Sequence, residues 1–312
     1  MSAGLLLLLL LVLAAVLYWG WADDLPIEQL QSRWAAAPSQ FVEVQGMSVH
    51  LRDEGPRDDP LPILLLHGTS ASLHTWDGWA DELGRQRRVI RVDLPGFGLT
   101  GPFPGGDYRM PQYTAFITSL LDKLGIERVV LAGNSLGGQI AWETALVAPQ
   151  RVAKLILVDA AGFPLNSTSV PLGFRIARIP ALADVVGRML PRQMIESSLR
   201  NVYGNPDLVT PELVDRYYEL TLRPGNREAL VQRFSQRDDP RLNPPRISRI
   251  GVPTLIIWGG RDQLIPPVNA DLFNAAIKGS QLEIFPVLGH VPQEEEPSAT
   301  VAVVKQFLQS YP

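Results

Sequence analysis

The sequence predicts an α/β domain built on a mostly parallel sheet, with a helical segment inserted into it. Three observations carry this prediction. Short apolar runs recur at residues 62–66, 89–92, 129–132 and 155–158, each closed by His-Gly, Asp or Gly. Runs of this kind, without polar alternation, are the pattern of parallel strands buried on both faces. Stretches with helical spacing lie between them, at 73–83, 113–124 and 136–148. Strand–helix alternation implies crossover connections in one parallel sheet. The rhythm then stops near residue 163, resumes at 254–258 and 282–285, and closes with a helix at 299–309.

The chain opens with residues 1–22, in which nothing from Gly4 to Ala22 is charged and Leu5 to Leu11 is an unbroken leucine run. Nineteen helical residues span about 28 Å, close to the thickness of a bilayer core. Tyr18, Trp19 and Trp21 follow at the depth where interfacial aromatics sit. A retained membrane anchor is the expectation, with the globular part outside the cytoplasm. A secreted protein is the alternative, since Gly20 and Ala22 offer small residues before a signal cleavage. The absence of Lys or Arg at the start and the bulky Tyr-Trp-Gly-Trp argue against it. A surface or partner helix is the third reading.

Residues 23–40 read as a polar linker with a short helical stretch. Two strand-like runs, 41–44 and 47–52, meet at Gln45-Gly46 and predict a hairpin. The core is expected over 41–162 and 250–312, and the helical insertion over 163–249. That insertion holds thirteen Arg and no Lys against nine Asp plus Glu, an excess of +4, which leaves −8 on the remainder. The arginines are expected either to face anionic lipid headgroups or to form solvated helix faces paired with nearby acids.

Composition narrows the chemistry. With 46% apolar and 19% charged residues, the chain is globular, and a net charge of −4 argues against nucleic-acid binding. Without cysteine there is no disulfide, thiolate metal site or cysteine nucleophile. Four dispersed histidines supply no metal-ligand spacing. The first strand-to-helix turn lacks the glycine pattern of a dinucleotide site. Neither a metal nor a cofactor is expected.

The strongest chemical signal is Gly133-Asn134-Ser135-Leu136-Gly137-Gly138, a G-x-S-x-G turn between an apolar strand and an apolar helix. In such a turn the glycines make room for a strained backbone, and the serine is lifted to a helix N-terminus that favours negative charge. The bland alternative is a glycine-rich turn without chemistry. A serine hydroxyl needs a base, and the base needs an orienting acid. His290, in the loop after the last strand, is the candidate base. Of the others, His50 lies in the hairpin, His67 reads as structural and His74 as a local contact. Asp262, in the glycine-bearing loop after 254–258, is the candidate acid, with Asp159 as its rival. Asp93 reads as a loop-fixing residue.

With these motifs in this order, the sequence resembles the α/β-hydrolase superfamily, in its lid-bearing form, from about residue 41 to 308. The resemblance rests on His67-Gly68, Asp93-Leu94-Pro95-Gly96-Phe97-Gly98, the serine turn, Trp258-Gly259-Gly260-Arg261-Asp262 and Gly289-His290. Thr100 stands where relatives often carry Ser. The resemblance implies an eight-stranded sheet, a triad of Ser135, Asp262 and His290, and an oxyanion hole from the backbone N–H groups of Leu136 and Thr69, with Ser70 as neighbour. It also makes 163–249 a lid, in which Phe174, Ile176, Leu190, Leu199, Tyr203, Tyr217, Tyr218 and Phe234 either line an acyl pocket or pack the lid on the core.

Serine in the turn, rather than aspartate, implies an acyl-enzyme and carboxylic esters, hydrophobic or lipid-like, as substrates. Carbon–carbon bond hydrolysis of ring-fission products, cofactor-free haloperoxidase chemistry and acyl transfer use the same triad. A non-catalytic binding protein on this fold is the reading from another class.

Overall fold

The structure, a computed structural model, describes residues 4–5, 20–164, 167–179, 188–236 and 239–310. Most of the expected anchor lies outside the described residues. Among those described, no helix is long and apolar enough to cross a membrane.

The first strands, β1 (Ser39–Val44) and β2 (Met47–Glu54), form the expected antiparallel hairpin. Its two turn residues, Gln45 and Gly46, both take positive φ (50° and 78°), the geometry that matches the twist of a hairpin. Then come β3 (Ile63–Leu66), β4 (Val89–Val92), β5 (Val129–Asn134), β6 (Val152–Val158), β7 (Thr254–Gly259) and β8 (Gln281–Phe285). The eight strands form one sheet in the order β1-β2-β4-β3-β5-β6-β7-β8. Only the β1–β2 and β2–β4 pairs are antiparallel.

The inner strands were read from unbroken apolar runs, and the structure shows the period of two hidden inside them. Leu64, Leu66, Leu131, Leu155, Leu157 and Ile256 join one apolar cluster. Their neighbours Ile63, Leu65, Val130, Ile156 and Leu255 join another on the opposite face. Because both faces are covered, alternation of direction leaves no alternation of polarity.

The helices of the core are α1 (Ile27–Trp34), α2 (Asp77–Leu83), α3 (Met110–Lys123) and α4 (Leu136–Val147). The helix expected from residue 73 starts as a 3₁₀ turn, Leu73–Trp76, and becomes α-helical only at Asp77. Between β6 and β7 lie α5 (Leu172–Ala177), α6 (Arg192–Val202), α7 (Pro211–Thr221), α8 (Asn226–Ser235) and the short α9 (Pro244–Ile247). After β7 come α10 (Val268–Ala276), α11 (Pro292–Glu295) and α12 (Pro297–Ser310).

The arginine excess between β6 and β7 meets acids of the remaining chain. Arg216 pairs with Glu294, Arg246 with Glu143, and Arg227 with Asp24 at 2.7 Å. These pairs stitch the helical segment to its surroundings across a charge asymmetry visible in the sequence. The segment preceding α1 is held by the same region. Ala22 N–H donates to Arg188 O (3.0 Å), Leu190 N–H to Gly20 O (2.9 Å) and Leu25 N–H to Leu222 O (2.9 Å).

The topology positions the chemistry. Strands β5, β6, β7 and β8 are consecutive parallel neighbours, so their C-terminal ends open on one edge of the sheet. That edge is where open α/β sheets bind ligands. Ser135 follows β5, Asp159 follows β6, Asp262 lies beyond β7, and His290 lies beyond β8.

Candidate active site

Ser135 occupies the single residue between β5 and α4, at φ 54° and ψ −114°. A non-glycine residue at positive φ costs of order 1–3 kcal/mol and persists only where the surroundings enforce it. Here they do. Ser135 N–H donates to Val158 O (3.0 Å), and its carbonyl accepts from Gln139 N–H and Ala161 N–H (both 3.0 Å). A Cβ at Gly133 would drive into the Gly137 carbonyl, and one at Gly137 into the Leu66 carbonyl. The glycines of the motif are therefore required by backbone-on-backbone approach at the crossing of β3, β5 and α4.

His290 and Asp262 meet as a buried pair, Nδ1 to Oδ2 at 2.6 Å. Asp262 Oδ1 accepts from Leu264 N–H (2.8 Å) and Ile265 N–H (2.9 Å), so both carboxyl oxygens are engaged. A carboxylate can only accept, which places the Nδ1 proton toward Asp262 and leaves the Nε2 lone pair for chemistry. The loop is held at the backbone as well. His290 N–H donates to Val202 O (2.7 Å), and its carbonyl accepts from Asn134 Nδ2 (2.9 Å), the residue before Ser135. Glu295 accepts from Gly289 N–H (2.7 Å) and from Gly204 N–H (2.8 Å), tying this loop to the end of α6.

Asp159, the rival acid, stands beside the pair rather than in it. Its Oδ1 accepts from Gly259 N–H (3.0 Å). Burial first, then the neighbouring Asp262 carboxylate, pushes its carboxyl well above the usual carboxylate range. One oxygen from each aspartate and one imidazole nitrogen of His290 lie within 4.8 Å of one another. Sequence spacing offered no metal-ligand set, yet the fold assembles this cluster. Both oxygens of Asp262 are already committed to hydrogen bonds, so the donor set reads as a relay for the imidazole.

The proposed oxyanion donors come from two elements. Leu136 is the first residue of α4, where helical N–H groups lack intrahelical acceptors. Thr69 follows Gly68, whose Cα packs so closely that an added Cβ would lie 3.1 Å from Ser135 Cβ and 2.9 Å from Asn134 Oδ1. Thr69, Leu136, Ser135 and His290 all line one cavity of about 420 Å³. Ser70, the neighbour of Thr69, also lines it and takes φ 60°.

The other histidines take structural roles. His67 is fully buried: Nδ1 donates to Gly68 O (2.7 Å), and Nε2 accepts from Leu94 N–H (2.9 Å). Burial lowers its pKa. Burial likewise lowers His74 to about 4. Asp93 holds the backbone N–H groups of Leu73 (2.7 Å) and Leu99 (2.8 Å) and pairs with His50 (2.7 Å), as a loop-fixing residue should. Burial alone would raise the Asp93 carboxyl, but the His50 imidazole outweighs it and holds the carboxyl below its usual range.

Of the eight side chains read as pocket candidates, Phe174, Ile176, Leu190, Leu199, Tyr217 and Phe234 line the cavity. Tyr203 instead packs among Leu199, Val209, Val214 and Val291, and Tyr218 lies outside the cavity wall. Met189, Met194, Ile195, Leu230 and Ile265 are among the further apolar lining residues and were missed. An apolar residue in a helical segment carries no local mark of whether it faces a void or a neighbour. Arg227 also reaches the wall, with its guanidinium donating to Ala22 O and to Asp24, both at 2.7 Å.

A model of the alpha/beta hydrolase fold family matches residues 62–297. A 2-hydroxy-6-oxo-2,4-heptadienoate hydrolase of Pseudomonas putida is 31% identical over 278 residues, covering 86% of this chain and 95% of that protein. The structure of a meta-cleavage product hydrolase from Pseudomonas fluorescens superimposes with a TM-score of 0.76 at 26% identity, over 87% of this chain and 97% of that one. A membrane phospholipase A, described as a bacterial virulence factor, gives a TM-score of 0.75 at 26% identity, over 98% of this chain and 97% of that one. The serine turn, the sheet order and these likenesses agree: the chain belongs to the α/β-hydrolase family of enzymes.

Proposed function

We propose that this hydrolase cleaves carboxylic esters with a hydrophobic acyl group, through an acyl-enzyme on Ser135. The observation that carries the reading is a strained serine lining an apolar cavity, with His290, held by the buried Asp262 carboxylate, lining the same cavity. Ser135 Oγ attacks the ester carbonyl as its proton passes to His290 Nε2. Negative charge on the carbonyl oxygen is met by the N–H groups of Leu136 and Thr69. The alcohol leaves with the proton from His290, and water attacks the acyl-enzyme by the same route in reverse. Asp262 holds the imidazole in the tautomer this needs. Loss of one oxyanion donor typically costs about 10²–10³ in rate.

In this reading, residues 41–162 and 250–312 form the catalytic core, and 163–249 form a lid that supplies most of the acyl pocket. Residues 1–22 are a membrane anchor and 23–40 a linker, with the catalytic domain outside the cytoplasm; a secreted form after signal cleavage is the alternative. Two observations favour the anchored form. The backbone hydrogen bonds of Gly20, Ala22 and Leu25 hold residues 20–25 against the segment between β6 and β7, where Met189 and Leu190 line the cavity. The similarity to the membrane phospholipase A extends over 98% of this chain.

A second reading, carbon–carbon bond hydrolysis of a ring-fission product, is favoured by the 31% identity to the heptadienoate hydrolase. One experiment separates them. The purified protein in detergent is offered chromogenic esters of increasing acyl length, phospholipid vesicles and a vinylogous ring-fission diketone, beside Ser135→Ala. Turnover of esters or phospholipid, lost in Ser135→Ala, is expected. Turnover of the diketone alone overturns the ester reading, and no turnover with no fluorophosphonate labelling of Ser135 overturns the acyl-enzyme itself.

A further inference from the structure

Residues 20–24 do not line the cavity themselves, yet they hold part of its wall from behind. Trp21 and Met189 form an antiparallel bridge. Ala22 N–H donates to Arg188 O (3.0 Å) and Leu190 N–H to Gly20 O (2.9 Å), so a backbone bond flanks the bridge on either side. Gly20 lies so close that an added Cβ would stand 2.6 Å from Met189 Cε and 3.6 Å from Pro191 Cγ. Met189, Leu190 and Pro191 all line the cavity. A second contact is ionic. Arg227, only 5% exposed, lines the same cavity, and its guanidinium donates to Ala22 O and to Asp24 Oδ1, both at 2.7 Å. Its Nε is buried without a hydrogen-bond partner, so among the described residues Ala22 and Asp24 supply its acceptors.

We propose that residues 20–24 are a specificity element of this cavity, a strap behind its wall in which Asp24 is the positioning residue. The inference rests on the reading of the cavity as the acyl pocket of Ser135. A buried guanidinium is tolerated in an apolar wall only while its charge is paired and its N–H groups are satisfied. Asp24 supplies the opposite charge and one acceptor, and Ala22 O supplies another. The Asp24 side chain is itself 41% exposed, so shortening it opens no hole in the core. Without the carboxylate, Arg227 keeps one neutral acceptor, and its charge must be met by water drawn to the wall. A wet, cationic wall takes an apolar chain less well than a dry, paired one, and the cost falls on chains long enough to meet it. A strap with only an anchoring role would change the stability of the fold and leave the chain-length preference as it was.

The test measures labelling of Ser135 by methyl and dodecyl fluorophosphonates in the full chain, in detergent. The ratio of long-chain to short-chain rate reads the pocket and requires no knowledge of the natural substrate. Asp24→Ala is expected to lower that ratio at least about fivefold, the loss falling on the long-chain rate. Asp24→Glu, which restores the charge, is expected to recover the parent ratio. In an Arg227→Met background, Asp24→Ala should change the ratio by less than about twofold, because the effect runs through the guanidinium. An unchanged ratio in folded Asp24→Ala, or the same fall with and without Arg227, overturns the proposal while leaving the acyl-enzyme reading intact. If Asp24→Ala does not fold by circular dichroism, Asp24→Asn carries the same comparison. A parent protein that is never labelled overturns the acyl-enzyme reading, and the inference with it.

Discussion

Two groupings of serine, histidine and aspartate stand out among the described residues. By the β1–β2 hairpin, Ser39 Oγ lies 2.9 Å from His50 Nε2, and His50 Nδ1 lies 2.7 Å from Asp93 Oδ2. Beyond strands β5, β7 and β8, His290 Nδ1 lies 2.6 Å from Asp262 Oδ2, with Ser135 and His290 lining the same cavity. By hydrogen-bond order alone, the first is the more complete triad. What differs is the setting of the serine. Ser39 sits in the regular strand β1 and accepts from Arg52 Nε (3.0 Å), and none of Ser39, His50 and Asp93 lines the cavity. Ser135 is forced to positive φ at a helix N-terminus, above a void of about 420 Å³. A relay of proton acceptors is a common structural device; a nucleophile also needs strain, orphan N–H donors and room for a substrate.

The largest contrast is therefore expected between the two serines. Ser135→Ala should lower kcat by roughly 10⁴–10⁶, while Ser39→Ala should stay within about threefold. Fluorophosphonate labelling that survives in Ser135→Ala and maps to Ser39 would reverse the comparison. The two histidines sharpen it along a second axis. Both His290→Ala and His50→Ala take the imidazole from a buried carboxylate, Asp262 or Asp93, and each should destabilise by about 3–5 kcal/mol in urea unfolding. Only His290→Ala should also abolish turnover; a comparable loss of turnover in folded His50→Ala would count against the division of roles.

The hairpin side of the molecule should also govern acid sensitivity. His74, lowered from 6.5 to about 4 by burial, stays neutral in the native protein while the unfolded chain takes up a proton. Its contribution is present above pH 6.5 and is lost as pH falls toward about 4, a change on the order of 3 kcal/mol. Asp93, held low, adds a loss in the same direction at still lower pH. Unfolding of the parent and His74→Gln across this window should show a flatter slope in the variant. On the cavity side, Leu230→Trp should shift the preferred acyl chain to shorter esters, lowering kcat/KM for long chains by about tenfold. That figure corresponds to roughly 1.4 kcal/mol of lost packing. The smallest effect is expected at Thr69, where Thr69→Ala keeps the backbone donor and should change kcat by less than about threefold.

The legible part of the site was the part written in contiguous residues. The turn at Ser135 was legible because two glycines must flank a turn whose backbone admits no Cβ. Leu136 and Thr69 are proposed as donors from positions adjacent to motifs, although no side chain marks a backbone donor. The hairpin over β1 and β2 was legible from Gln45-Gly46. The split beginning of the helix over residues 73–83 was not, because Asp93, twenty residues later, holds Leu73 N–H. For Tyr203 and Tyr218 the choice between pocket and packing stayed open in the sequence, because an aromatic side chain looks the same facing a void or a neighbour.

By itself the sequence determined the order of strands and helices, the serine turn, and the charge asymmetry that couples the helical segment to its surroundings. These follow from local sterics, short-range periodicity and summed charge. Only the tertiary structure decided which acid contacts His290, that the Asp159 carboxyl is buried beside the pair, that His50 and Asp93 form a look-alike relay, and which apolar residues face the cavity. Each of these depends on contacts between elements far apart in the chain. The parallel order of β5, β6, β7 and β8 brings Ser135, Asp159, Asp262 and His290 to one edge, and no spacing along the chain encodes that meeting.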